Sequence, residues 1–320
     1  MKRKGNLYQK IISIENLMEA DKKAQKGKSS QYGVQLHNKR RQANIITLHQ
    51  LLKTKQYKTS NYDIFKVYEP KERNVYRLPY YPDRIVHHAI MNVLEHYFME
   101  TFTSDTYSCI KGRGIHAAAN AIKKSLLDNR GTKYCLKLDI TKFYPNVDHN
   151  ALKNLLRRKF KDNDLLLLLD EIIDSAPGLP IGNYLSQYLA NFYLSYFDHW
   201  IKEQKSVRHY FRYADDIVIL APDKPYLHEI LSLIKSYLNH NLKLTVKGNY
   251  QVFPVADRGI DFVGYRFFHT HTLLRKGIKK NFARMLTKNP NKSSVDSYLG
   301  WAKHCNSINL LNTLLSNEKL

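Results

Sequence analysis

Asp215 and Asp216 are adjacent acids at what the sequence marks as a tight turn, between the strand-like Arg208–Arg212 and the apolar run Ile217–Leu220. Two carboxylates so placed repel each other unless something positive sits between them, and a divalent metal is the natural counter-ion. A third acid, Asp139, closes the strand-like stretch that begins at Tyr134. Adjacent strands of one antiparallel sheet would bring the three together, and such a cluster can hold two Mg2+ ions about 3.5 to 4 Å apart for two-metal phosphoryl transfer. A solvated hairpin turn at Asp215–Asp216 and a helix cap at Asp139 are the plainer alternative.

The elements that would position these acids follow from periodicity. Residues 1 to about 60 carry apolar positions at helical spacing, Ile11, Ile12, Ile14, Leu17 and Met18, then Ile45, Ile46, Leu48, Leu51 and Leu52, around a basic loop from Lys22 to Gly33. From Tyr62 to Leu78 the pattern alternates, which predicts a basic hairpin turning at Glu69–Arg73. Asp83-Arg84 opens an amphipathic helix through Leu94, and the Gly-bearing loop Ser108–Gly114 leads into another. Helices are expected around Leu152–Leu156, Leu165–Ile173, Tyr184–Trp200 and Tyr226–Asn239, strands around Leu242–Val246, Tyr250–Val255 and Ile260–Phe268, and a basic helical tail from about Asn281.

The balance of 51 Lys+Arg against 28 Asp+Glu gives a formal +23, which points to a polyanionic partner, nucleic acid first. Apolar runs such as Leu165–Leu169 fall far below the ~18 residues that a spanning helix needs, so no membrane role is expected. The start, Met1-Lys2-Arg3-Lys4-Gly5, has no secretory pattern, and a cytoplasmic location is expected. Cys109, Cys135 and Cys305 are too scattered for a disulfide framework or a zinc site.

Taken in order, these motifs resemble those of the reverse transcriptases over roughly residues 65 to 270. The hairpin with Lys71 and Arg73 and the following Asp83-Arg84-Ile85-Val86-His87-His88-Ala89 are similar to the finger motifs, and Tyr107–His116 to the next finger element. Leu138–Tyr144 is similar to the first palm acid motif, Tyr213–Asp216 to the second, Leu244–Lys247 to the last palm motif and Phe262–Tyr265 to the primer grip. The resemblance implies that Asp139, Asp215 and Asp216 are catalytic metal-binding acids for two Mg2+ ions, with the Ile140 carbonyl as an extra ligand. One metal would activate a 3′-hydroxyl and the other the leaving pyrophosphate. Lys71 and Arg73 would bind the incoming triphosphate, with Arg77 a competitor because the alignment of the hairpin is open, and Lys247 would also face the nucleotide. Tyr144, five residues after Asp139, falls where the family places its aromatic steric gate; a core tyrosine is the alternative. Arg84, Lys111, Arg113, Phe262, Gly264 and Tyr265 are the implied contacts to primer and template.

The loop from Gly178 to Gln187 departs from the commonest family pattern, which has Gln before the second glycine and Pro after the serine. Ile181 and Gln187 stand there, flanking Gly182 and Ser186, a form that resembles the reverse transcriptases of diversity-generating retroelements, which misincorporate opposite template adenine. An apolar Ile181 cannot donate the hydrogen bond that a glutamine would, so pairing is policed less strictly; packing under the palm is the alternative role. The resemblance implies an α+β right-hand polymerase fold with fingers, an antiparallel-sheet palm and a small helical thumb. Its divisions would be an N-terminal helical extension at 1–60, fingers at 61–134, palm at 135–268 with a finger-like insertion at about 150–185, and thumb at 269–320. Template RNA, primer and cDNA, dNTPs and a small basic oligomeric accessory protein are the implied partners. A retron or defence-associated reverse transcriptase and a catalytically idle RNA-binding protein of the same fold are the competing readings.

Overall fold

The computed structural model describes residues 3–68, 72–288 and 291–315. In chain order the helices are α1 (Tyr8–Ile12), α2 (Ile14–Gln25), α3 (Tyr32–Asn38), α4 (Arg41–Lys53), α5 (Ile85–Met99), α6 (Ile115–Ser125), α7 (His149–Lys159), α8 (Asn163–Asp174), α9 (Tyr184–His199), α10 (Lys224–Leu242), α11 (Val255–Arg258), α12 (Lys276–Lys288), α13 (Lys292–Ala302) and α14 (Ile308–Leu315). The strands are β1 (Asp63–Val67), β2 (Arg73–Arg77), β3 (Tyr134–Asp139), β4 (His209–Tyr213), β5 (Asp216–Ala221), β6 (Gln251–Pro254), β7 (Ile260–Phe262), β8 (Tyr265–Phe267) and β9 (Thr272–Leu274). The chain builds two compact units, each discontinuous in sequence: residues 1–102, 141–197 and 237–245 form one, and 103–140, 198–236 and 246–320 the other.

In the first unit the expected hairpin is present, β1 against β2 in antiparallel register, with Asp63 facing Arg77 and Val67 facing Arg73. Helix starts follow side-chain chemistry: Ser13 caps α2, Asp148 caps α7, and Asp162 caps α8 with one carboxylate oxygen. The other oxygen of Asp162 accepts from the Leu7 and Tyr8 amides at 2.6 and 3.0 Å, which moors α1 to α8. The basic Lys22–Gly33 segment is shorter as a loop than the sequence suggests, because α2 runs on to Gln25 and α3 begins at Tyr32. Buried Asp21 on α2 accepts from Tyr80 and from Arg41 Nε at 2.5 Å. Burial alone would raise its pKa, but bonds from His37, Tyr80, Gln25 and Arg41 win and hold it well below the usual carboxylate range.

Helix α5 faces the core with Ile85, Val86, Ala89, Ile90 and Leu94, and it also buries His87, whose Nε2 has no hydrogen-bond partner. Complete burial, with the neighbouring His88 adding to it, pushes the His87 imidazole down to about 4. The unfolded chain therefore binds a proton there below about pH 6.5 that the folded chain refuses, so stability falls as pH drops through that window. We expect this residue to account for about 2 kcal/mol of lost stability between pH 7 and pH 5. Urea denaturation of His87→Leu at both pH values should show that slope reduced, and an unchanged slope would refute the assignment.

The second unit is organised on an antiparallel sheet of order β4-β5-β3-β6. One face of it packs Cys135, Phe211, Val218, Leu220 and Phe253 against Ala118, Ala119 and Ile122 of α6 and against the smaller β7-β8-β9 sheet through Ile260, Phe262, Tyr265 and Phe267. Two strands differ from expectation. Helix α10 continues to Leu242, so of the Leu242–Val246 stretch only Val246 pairs with the sheet, by an isolated antiparallel bridge to Ile140. The expected single strand Ile260–Phe268 is a hairpin, because Val263 (φ +41) and Gly264 (φ +89) both take left-handed conformations and reverse the chain. A Cβ on Gly264 would lie 2.2 Å from the Trp301 ring, so only glycine fits.

Candidate active site

The register of β3 and β5 sets Asp139 opposite Asp216 where both strands end, and β4 sets Tyr213 opposite Asp216 on the other side. Opposed residues share a face of a sheet and alternation does the rest: Lys137, Asp139, Asp216 and Val218 lie on one face, Leu136, Leu138, Ile217 and Ile219 on the other. Asp215 occupies the two-residue connection Ala214–Asp215, where Ala214 has φ +55. An L-residue in that region costs on the order of 1–3 kcal/mol and persists only when its surroundings over-determine it.

A buried polar cluster supplies that determination. Arg212, one strand position before the turn, donates from Nη1 to the Ala214 carbonyl at 2.9 Å and from Nε and Nη2 to Asp198 at 2.7 and 2.5 Å. Asp198 also accepts from Tyr210 at 2.6 Å and Thr106 at 3.0 Å, and both charged side chains are fully buried. The segment before α6 adds a parallel edge to β4, with Tyr107 N donating to Arg212 O and Arg212 N to Asp105 O.

The three acids are electrostatically crowded. Burial, then the hydrogen bond and charge of Asp139, push the Asp215 carboxyl up to about 7, with Asp216 adding. Burial pushes Asp216 up to about 6; Lys137 opposes the rise and Asp139 reinforces it. Asp216 Oδ1 is buried without a hydrogen-bond partner. Lys247 neutralises Asp139: its ammonium donates to Oδ2 and its amide to the Asp139 carbonyl at 2.9 Å. Ile140 is buried and paired with Val246.

Among the described residues no group of three or more His, Cys, Asp or Glu is already spaced as a metal cage. The donor set nonetheless suits a hard divalent cation: carboxylate oxygens only, mutually repelling, one of them an orphan in the interior. The Lys247 ammonium sits where such a cation's charge would be felt. When bound, a metal pair there would activate an attacking oxygen and neutralise a leaving phosphate.

The remaining candidates divide by unit. Lys71 lies outside the described residues. Arg73 is exposed at the start of β2, while Arg77 is paired with Asp63 and lies over the Phe65 ring at 5.6 Å. Ile181 is half-buried, and its carbonyl accepts from Tyr76 N at 2.8 Å, which fastens the Pro177–Asn183 loop to β2. Gly182 (φ +118) leaves no room for a side chain, since a Cβ would meet the Tyr76 carbonyl at 2.6 Å. Gln187 is exposed on α9. Tyr144 is half-buried against Phe143, and its carbonyl accepts from Leu179 N at 2.8 Å. Arg84 is half-buried and Lys111 exposed.

Four further candidates make their described contacts within the second unit. Phe262 and Tyr265 are fully buried in the core of the second unit, and the Trp301 ring lies against Gly264. Arg113 is half-buried, and its Nη1 bridges the Thr103 and Thr106 carbonyls at 2.5 and 3.1 Å. Apolar residues in a short hairpin and a cation in a loop look the same in sequence whether they face solvent or the interior. Conversely, Lys137, Asp261 and Arg275 beside Asp216, and the Asp198–Arg212 pair that braces the turn, were not singled out; alternation along β3, which puts Lys137 beside Asp139, was the available signal.

Comparison with known proteins agrees with this geometry. The family described as reverse transcriptase (RNA-dependent DNA polymerase) matches residues 69–267. Protein YkfC of Escherichia coli is 24% identical over 277 residues, covering 72% of this chain and 71% of that protein. The group II intron-encoded protein LtrA of Lactococcus lactis is 25% identical over 139 residues, covering 40% of this chain and 23% of LtrA. Telomerase from Candida tropicalis, solved in complex with a TWJ fragment of telomeric RNA, superposes with a TM-score of 0.53 at 13% identity. That overlap covers 83% of this chain and 58% of the telomerase, and it shows the polymerase fold alone. With the matched segment spanning both palm acid motifs, the chain belongs to the reverse transcriptase (RNA-dependent DNA polymerase) family.

Proposed function

We propose that this protein is an RNA-directed DNA polymerase working by metal-assisted nucleotidyl transfer, with Asp139, Asp215 and Asp216 as the metal-binding acids and Mg2+ as the cofactor. The observation that carries this reading is the strand register that sets Asp139 opposite Asp216 with Asp215 in the adjoining turn. Asp139 and Asp216 would hold the metals from two strands of one rigid sheet, and Lys247, released from Asp139, would be free to meet the charge of a triphosphate. Arg73, Arg77, Tyr144, Ile181, Gly182 and Gln187 keep the nucleotide-facing roles that the family resemblance gives them. The large cationic excess supports template RNA, primer and cDNA as ligands.

The finer reading is a polymerase of the diversity-generating kind, prone to error at template adenines and assisted by a small basic oligomeric protein. Ile181 and Gln187 support it: the half-buried apolar side chain next to Gly182 offers no donor where a glutamine would. Copying a defined RNA with spaced adenines and sequencing the cDNA tests both levels. Product with errors concentrated at adenines is expected. Faithful product would favour a retron-like or intron-type copying enzyme, and no product with intact metal and template would return the chain to RNA binding alone.

A further inference from the structure

Lys137 precedes Asp139 by two residues, on the same face of β3, and its ammonium lies 3.8 Å from Asp216 Oδ2. The same ammonium donates to the backbone carbonyl of Asp261 in β7. Asp261 is in turn gripped by Arg275, whose Nε and Nη2 reach its Oδ1 at 2.6 and 2.5 Å from the residue just before α12. The cation thus has a hydrogen-bonded anchor in the small sheet and a looser ion pair with the Asp216 carboxylate. Its contact is with Oδ2 alone, and Oδ1 of the same carboxylate remains buried and unpartnered. An apolar side chain of equal length would leave the Asp261 carbonyl without this donor and Asp216 free to turn.

We infer that Lys137 is a positioning residue for Asp216: tied to the Asp261 carbonyl, it holds its charge against one carboxylate oxygen at ion-pair distance and keeps the other directed for metal ligation. The inference rests on the reading of Asp216 as a metal-binding acid. It extends the machinery to the β7-β8-β9 sheet and the foot of α12, so that the fit of this small sheet against β3 is felt at the acid. Misdirection of a catalytic group by a fraction of a bond length is costly, which sets the scale of the effect.

The test uses the full chain with Lys137→Met, Lys137→Gln and Lys137→Arg, read by primer extension and by Mn2+ binding followed by EPR without template or nucleotide. Lys137→Met is expected to lower kcat by about 10- to 100-fold with the KM for dNTP within about threefold, and Lys137→Arg to recover most of the rate. Removing a cation from beside three acids would, by charge alone, tighten Mn2+ binding; loss of positioning weakens it, and a weakening of about threefold or more is expected. Tighter Mn2+ binding, or a kcat within about twofold of the parent, overturns the inference. Lys137→Gln keeps a donor without the charge, so if Lys137→Met does not fold the comparison of glutamine with arginine decides: glutamine at the parental rate overturns it, glutamine well below arginine supports it. Asp216→Asn separates the two readings. If it still extends primers the assignment of Asp216 fails, whereas a dead Asp216→Asn beside an unaffected Lys137→Met condemns only the role of Lys137.

Discussion

Asp216→Asn should abolish primer extension, lowering kcat by about a thousandfold or more, while leaving the protein at least as heat-stable as the parent. Asparagine has the shape of aspartate, so the β3–β5 pairing that sets residue 216 opposite Asp139 has no reason to shift. What goes is the negative charge, and with it the ligand atom that is held in the interior without a partner. Stability moves the other way because the carboxylate is partly buried beside two others, a placement that raises its pKa to about 6 and that of Asp215 to about 7. A carboxyl with a raised folded pKa favours the fold below its unfolded value near 4 and opposes it once ionised, so at neutral pH the charge is a burden that asparagine removes. Extension kinetics and a thermal melt on the same preparation check both halves. Retention of more than about a tenth of the parental rate would remove Asp216 from the chemistry.

Asp198→Ala is expected to be the most damaging single change to the fold of the second unit, costing about 3–5 kcal/mol in urea denaturation. The reason is the guanidinium it leaves behind. Arg212 is fully buried, its Nε and Nη2 both point at Asp198, and Tyr210 and Thr106 donate to the same carboxylate. Without the acid, a buried cation and two buried hydroxyl donors lose their acceptor together. Replacing both partners, Asp198→Leu with Arg212→Met, should recover much of the stability, since a buried ion pair and an apolar pair of similar volume are close in energy. It should not recover polymerisation, because Arg212 also holds the Ala214 carbonyl and so the turn that carries Asp215. A loss below about 1 kcal/mol for Asp198→Ala, or a double variant with parental extension, would show that the pair does not support the turn.

The acids were legible because chemistry and periodicity coincide at them. Asp139 ends an alternating strand and Asp215-Asp216 interrupts another, so a sheet was the only economical way to bring them together, and the register confirms that pairing. The β1–β2 hairpin and the long helices were legible for the same reason, as repeated local patterns. The buried pair was not. Asp198 lies in the last turn of α9 and Arg212 sits in β4, and nothing local distinguishes an arginine that turns inward from one that faces solvent in a chain with 51 Lys and Arg. The same ambiguity hides that Arg113 bonds two carbonyls and that Phe262 and Tyr265 are buried behind the β7–β8 turn. The contiguous divisions drawn along the sequence also differ from the two compact units, since each unit gathers segments far apart in the chain and grouping of that kind leaves no periodic trace.

The order of strands in the larger sheet has a consequence for synthesis on the ribosome. β3 is an interior strand, yet its partners β5 and β6 begin 77 and 112 residues after its last residue, Asp139, at Asp216 and Gln251. At about 5–20 residues per second, β3 waits roughly 4–15 s for β5 alone. For that interval Cys135, Leu136 and Leu138 have neither sheet neighbour, and both edges of the strand can pair with any extended segment nearby. Slow translation between residues 140 and 216 would lengthen this exposure, and the yield of soluble protein should be sensitive to codon choice and chaperone supply in that stretch more than in any other.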